Sequence, residues 1–185
     1  MANPILNMAS LNANCFQVNN EPGISPVIYG IIAKSIEGSW PKESDINEFG
    51  EIQTLPTYKN GAMWAAYECP NNTAKLDIDS GGENGYQGGD KQTLMLALAG
   101  MEKAIIAEQK KHTNAGSLWI APFKGGEYVV AGSTKNPIFT KWKFTSGQKY
   151  GDKRGFTVTG EGEVEWAFAT LTEAQMALLP IAPIL

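Results

Sequence analysis

The sequence predicts an α+β domain: an antiparallel β-sandwich or barrel with one packed α-helix and extended terminal arms. Three observations lead there. Between Leu118 and Phe168 apolar residues alternate as half-buried strands require, through Leu118, Ile120, Tyr128, Val130, Trp142, Phe144, Phe156 and Val158, with glycine turns between. A single stretch, residues 90–112, carries apolar residues at helical spacing. The chain of 185 residues is 43% hydrophobic and 18% charged with 20 glycines and 10 prolines, a globular composition weighted toward turns, and its length suits one domain spanning 1–185.

Residues 1–26 are rich in Asn, and Pro4, Pro22, Gly23 and Pro26 interrupt any regular pattern, which predicts an extended arm. Its apolar residues Ile5, Leu6, Met8, Leu11 and Phe16 are too many for a solvated tail, so they are candidates for contact with the domain itself or a neighbouring subunit. Val27 to Ala33 is β-branched and aromatic and reads as a buried strand. Residues 37–59 form a long loop or projecting hairpin, in which Trp40 and Phe49 stand out among charges and turn formers. Two more strands, Ala62 to Glu68 and Ala74 to Asp79, flank Pro70-Asn71-Asn72, and residues 81–89 hold five glycines.

Asp90 is then expected to cap a helix over 90–112, with Leu94, Leu98, Met101 and Ile105 as its apolar stripe and Lys110 and Lys111 at its negative end; Asn114 or Gly116 would stop it. The C-terminal sheet covers 117–169 in this reading, giving six to eight strands in all. Thr172 with Gln175 forms a capping box that opens a short helix ended by Pro180. The tail 180–185 is wholly apolar, making Ile181, Ile184 and Leu185 further candidates for an inter-subunit contact.

Charge and motif content narrow the function. A net charge of -4 gives no basic footprint for gripping phosphate backbones, though it suits a channel past which DNA must slide. The N-terminus lacks a secretion signal and no run approaches bilayer length, so synthesis in a cytoplasm without a membrane anchor is expected. The sole histidine, His112, sits at a polar helix end and reads as a surface or capping residue rather than a catalytic base. Cys15 and Cys69 lack the basic neighbours of a reactive thiolate. Asp77-x-Asp79 mimics the opening of a calcium loop, but Gly88 stands where the bidentate Glu should be, and no cofactor or metal site is expected. Glu161, Glu163 and Glu165 alternate along the last long strand opposite Gly160 and Gly162, so their face must meet water, as a cleft or a tube lumen would. Of the five tryptophans, Trp64, Trp119, Trp142 and Trp166 suit a core or a subunit contact.

The runs Gly126-Glu127-Tyr128-Val129-Val130-Ala131-Gly132, Phe144-Thr145-Ser146-Gly147 and Gly151-Asp152-Lys153-Arg154-Gly155-Phe156-Thr157-Val158-Thr159 resemble the C-terminal half of the tail tube proteins of tailed bacteriophages. The resemblance implies a structural virion protein rather than an enzyme. Similar proteins form hexameric rings that stack, with inner strands joined edge to edge into a channel that genomic DNA crosses without specific binding. Loops and arms lock each ring to the next and to other tail proteins. By that analogy the 37–59 loop, with Trp40 and Phe49, would reach the next ring, and the Glu161, Glu163, Glu165 face would line the lumen. The N-terminal half carries no motif of the family, so a ring, adaptor or terminator protein of the same virion stays open. So does a carbohydrate-binding module or glycan hydrolase on a β-sandwich, using Trp40 or Trp166 with the acidic strand.

Overall fold

The computed structural model describes residues 23–59, 61–80, 89–149, 151–166 and 168–184. They form β1 (Val27–Ile32), β2 (Ile36–Glu37), β3 (Thr57–Tyr58), β4 (Ala65–Glu68), β5 (Lys75–Ser80) and β6 (Asp90–Ala99). Helix α1 (Lys103–His112) follows, then β7 (Gly116–Pro122), β8 (Tyr128–Ala131), β9 (Ile138–Thr145), β10 (Gly155–Val164), β11 (Thr170–Leu171) and α2 (Glu173–Ala177). The fold is α+β and mostly antiparallel sheet. The described residues hold 11 strands, more than the six to eight expected, because short two-residue strands such as β2, β3 and β11 are invisible to alternation.

One sheet holds nine of the strands and divides at β7. One edge of β7 takes β1, which in turn pairs with β4. The other edge is shared: Trp119 to Pro122 pair with β8, while Gly116 and Ser117 pair with the start of β9. From β8 the sheet ends at β11; from β9 it continues through β10 and β6 to β5. The two branches pack face to face around a first core of Ile28, Tyr67, Leu94, Leu96, Trp119, Val129, Phe156 and Val158. The far side of β1, β7 and β8 is covered by the 37–59 segment and α2, giving a second core with Trp40, Ile52, Trp64, Leu118, Ile120 and Leu171. Strand β7 is therefore buried on both faces, which explains its unbroken apolar run.

The helix expected over 90–112 is corrected. Residues 90–99 are the strand β6, and only Lys103–His112 is helical. Leu94 and Leu98 fit a helical stripe and a strand face equally well, but Gln92 and Leu96, off the stripe, are buried too. Full-length pairing with β5 and β10 decides the period, and Gly100, at φ +84°, turns the chain before Glu102. Asp90 is thus a strand residue opposite Val164 rather than a cap, and Met101 lies exposed between strand and helix. The C-terminal signals hold: Lys110 and Lys111 lie in the last turn and Asn114 follows in the left-handed region. The capping box is also present, with Thr172 accepting from Gln175 N and Gln175 accepting from Thr172 N.

The 37–59 segment does not project as a whole. Ile52 N donates to Thr170 O at 2.9 Å, Thr170 N donates to Gly50 O at 2.8 Å, and Trp40 Nε1 donates to Thr54 O at 2.8 Å. These bonds fold it onto its own domain, leaving the turn at 47–50 outermost, with Phe49 78% exposed. The tail is likewise tied down: Trp64 N donates to Pro180 O and Ala182 N donates to Trp64 O, both at 2.8 Å.

Candidate functional site

The most distinctive surface is the outward face of the branch β9-β10-β6-β5. Strand alternation sends Phe156, Val158 and Val164 inward, so the odd-numbered residues of β10 point out. The registers stack these outward residues in rows. Glu163 lies beside Lys91 and then Asp79; Phe139 beside Glu161, Thr93 and Asp77; Lys141 beside Thr159, Met95 and Lys75; Lys143 beside Thr157 and Ala97. The face is carboxylate-rich at one end, threonine-lined in the middle, and lysine-bearing at the opposite corner.

Glu161 and Glu163 are on this face, as the alternation predicts. Lys91, directly across from Glu163 on β6, reaches diagonally to Glu161 at 3.1 Å, which offsets the repulsion of like charges. Such an exposed pair contributes about 0–1 kcal/mol, so the acidic end is tolerated rather than held together by it. Glu165 does not share the face: β10 ends at Val164, and Glu165 pairs with Lys135 instead. On the inner side Ile138 fills the space that Gly160 and Gly162 leave, where an added Cβ would lie 2.5 and 2.9 Å from its side chain. The bare face read from the sequence is thus a socket for Ile138.

Both rims of this branch offer backbone groups. Strand β5 pairs only with β6, and β9 beyond Phe139 pairs only with β10, among the described residues. Of the outward residues at the rims, Asp77 and Asp79 on β5 read in the sequence only as the opening of an incomplete calcium loop, and Lys141 and Lys143 on β9 were not singled out. Their signal was present in the period-two charge patterns Lys75-x-Asp77-x-Asp79 and Lys141-x-Lys143.

Of the residues expected to meet a neighbouring subunit, Trp40 is corrected. It is 3% exposed and packs edge-on against Trp64, with ring centroids 6.3 Å apart, so its surface is already used within the domain. That also removes it as a sugar-stacking platform. Ile181 is half-buried against the second core, whereas Phe49 and Ile184 are exposed. Ile5, Leu6, Met8, Leu11, Phe16 and Leu185 lie outside the described residues.

His112 is corrected as well: it is buried, not on the surface, because the last residue of α1 turns onto the sheet. Its Nδ1 lies 2.9 Å from Ser117 Oγ and its Nε2 2.9 Å from Tyr67 Oη. This arrangement has the members of a nucleophile and base, but Ser117 is fully buried and no substrate can approach it. A groove of 770 Å³ between β4, α1 and the tail reaches Tyr67, Cys69, Glu108 and Ile184. Burial pushes the Cys69 thiol up to about 11, so it is not a nucleophile at neutral pH. Among the described residues no group of three or more His, Cys, Asp or Glu side chains is placed to hold a metal ion, and no helix is long and apolar enough to cross a membrane.

No protein-family model, no curated protein and no solved structure matches the chain.

Proposed function

We propose that this chain is the repeating subunit of a tail tube of a tailed bacteriophage, a structural protein that assembles into stacked rings around a DNA-conducting channel. The observation that carries the reading is the branch β9-β10-β6-β5, an even number of alternating strands with backbone groups available at both rims among the described residues. Because β9 and β5 run in opposite directions, a rotation about an axis along the strands sets β9 of one copy antiparallel to β5 of the next. The operation repeats until a ring closes, and the exposed rims become the polymerising surface.

Charge supports that joint. In level register Lys141 would face Lys75 of the next copy, but an offset of two rows sets Lys141 opposite Asp79 and Lys143 opposite Asp77. Strand tilt imposes a stagger of this kind on closed barrels. Lys141 and Lys143 are then paired at the joint, Lys75 and Lys91 are held by Asp77 and Glu161 of their own copy, and the inner wall presents these pairs with Thr93, Thr157, Thr159 and Glu163. Such a wall does not hold phosphates, which is what passage of DNA requires. The resemblance of residues 126–159 to the tail tube family supports the same reading.

Electron microscopy of the purified protein on concentration tests it, with rings or stacked tubes expected. Asp77→Lys with Asp79→Lys should abolish them, and adding Lys141→Glu with Lys143→Glu should restore them. Dispersed monomers at every concentration would overturn the assembly reading. Rings indifferent to every reversal would overturn the assignment of these two rims.

A further inference from the structure

Helix α1 is held to the sheet by very little. His112 is its one buried residue, and Ile105 and Ile106 are partly buried against the first core. The His112 ring stacks on Trp119, with centroids 5.5 Å apart and 20° between planes, and Trp142 tilts against it at 5.7 Å. Both ring nitrogens are occupied, by the hydroxyls of Tyr67 on β4 and Ser117 on β7. The charged groups that act on the ring, Glu108 and Lys111, both belong to α1 and oppose one another; β4, β7 and β9 present Tyr67, Ser117, Trp119 and Trp142, none of them charged. The site accommodates a neutral imidazole and offers no buried counter-ion to an imidazolium.

We propose that His112 is a protonation-sensitive latch: neutral, it pins the C-terminal end of α1 to the sheet, and protonated, it lets α1 lift away while the sheet stays folded. The hydroxyls do not prevent protonation, since each can turn to accept from an N–H. What opposes it is desolvation, and burial accordingly lowers the proton affinity of the ring. Leaving the pocket hydrates the charge at the cost of three aromatic contacts and two hydrogen bonds, far less than unfolding the sheet. The released helix also uncovers the groove wall it shares with β4, so the latch controls access to that surface. The inference is independent of ring assembly.

Hydrogen exchange read by mass spectrometry, corrected for intrinsic rates, at about pH 7.5 and about pH 5.5 tests it. Peptides over residues 103–115 should lose protection at the lower pH by several-fold and up to about tenfold, the most that one histidine with an open-state value of about 6.5 supplies over that interval, while β6 and β10 keep theirs. The loss should vanish in His112→Gln and His112→Phe. No loss in the wild type, the same loss in both variants, or a loss that follows Glu108→Gln instead would overturn the proposal. Should neither variant fold, the wild type still decides. As His112 is the sole histidine, its ring proton resonance is unambiguous. A titration with no matching change in α1 protection would overturn the latch.

Discussion

Ile138 seats its side chain directly over Gly160: an added Cβ at 160 would come within 2.5 Å of Ile138 Cγ2 and 3.1 Å of Thr140 Cγ2. The two positions lie on adjacent strands, and Ile138 itself is fully buried, so the collision has no solvent side to relax into. Gly160→Ala is therefore expected to destabilise the domain by about 1–3 kcal/mol, read as a lower midpoint of denaturant unfolding at unchanged m-value. Coupling tests the cause: Ile138→Ala should recover part of the loss when combined with Gly160→Ala. Additive effects would show that Ile138 is not the obstacle.

Gln175 ties α2 to the 37–59 segment. Its side-chain oxygen accepts from Thr172 N at 2.9 Å and its Nε2 donates to Ile52 O at 2.7 Å. Thr172→Ala removes only the cap and should cost about 0.5–2 kcal/mol. Gln175→Ala keeps the backbone N–H that donates to Thr172 Oγ1, but it removes the acceptor of Thr172 N and leaves the carbonyl of buried Ile52 without this donor, so it should cost about 1–3 kcal/mol. Thermal unfolding of the two variants under the same conditions measures both losses. A Gln175→Ala variant as stable as the wild type would mean that the bond to Ile52 adds nothing.

How far the sequence is legible depends on which periods coincide. The strands from β7 to β10 and the box at Thr172 were readable because alternation, glycine turns and cap chemistry each point one way there. Residues 90–99 were not, because Leu94 and Leu98 satisfy two periods and only the tertiary pairing with β5 and β10 decides between them. The outward placement of Glu161 and Glu163 followed from alternation, but the end of β10 at Val164, and with it the separate fate of Glu165, did not. Trp40 and His112 were misplaced for one reason. Each is flanked by polar residues, yet a long-range fold-back buries it, Trp40 beside Trp64 and His112 between Trp119 and Trp142.

Cys69 should be inert in the folded protein. It is buried in the first core, and its thiol is pushed up to about 11 chiefly by that burial, so thiolate is scarce at pH values where thiol reagents are used. In a Cys15→Ser background, labelling by an aromatic disulfide reagent at about pH 8 should be slow and should rise steeply across the denaturant transition. Prompt labelling without denaturant would show that the β4 edge opens far more readily than the sheet.

The pH dependence of stability separates two groups by sign and window. Burial lowers the folded-state proton affinity of His112, so below the unfolded value of about 6.5 the unfolded chain takes up a proton that the folded chain resists. The contribution is fully present above about 6.5 and is lost as pH falls from there toward the folded value. Release of α1 gives the proton a place without global unfolding, so the fall should level off at the free energy of freeing the helix. Asp152 acts lower: its carboxylate accepts from Gln148 N at 2.7 Å and Lys149 N at 2.8 Å, which hold its pKa below the usual 3.8. That stabilisation is present above about 3.8 and is lost only as pH falls through the lowered folded value. Denaturant midpoints measured from about pH 8 to about pH 3 should therefore fall in two steps. His112→Gln should remove the upper step alone and Asp152→Asn should alter the lower one alone; an upper step that persists without the histidine would assign it elsewhere.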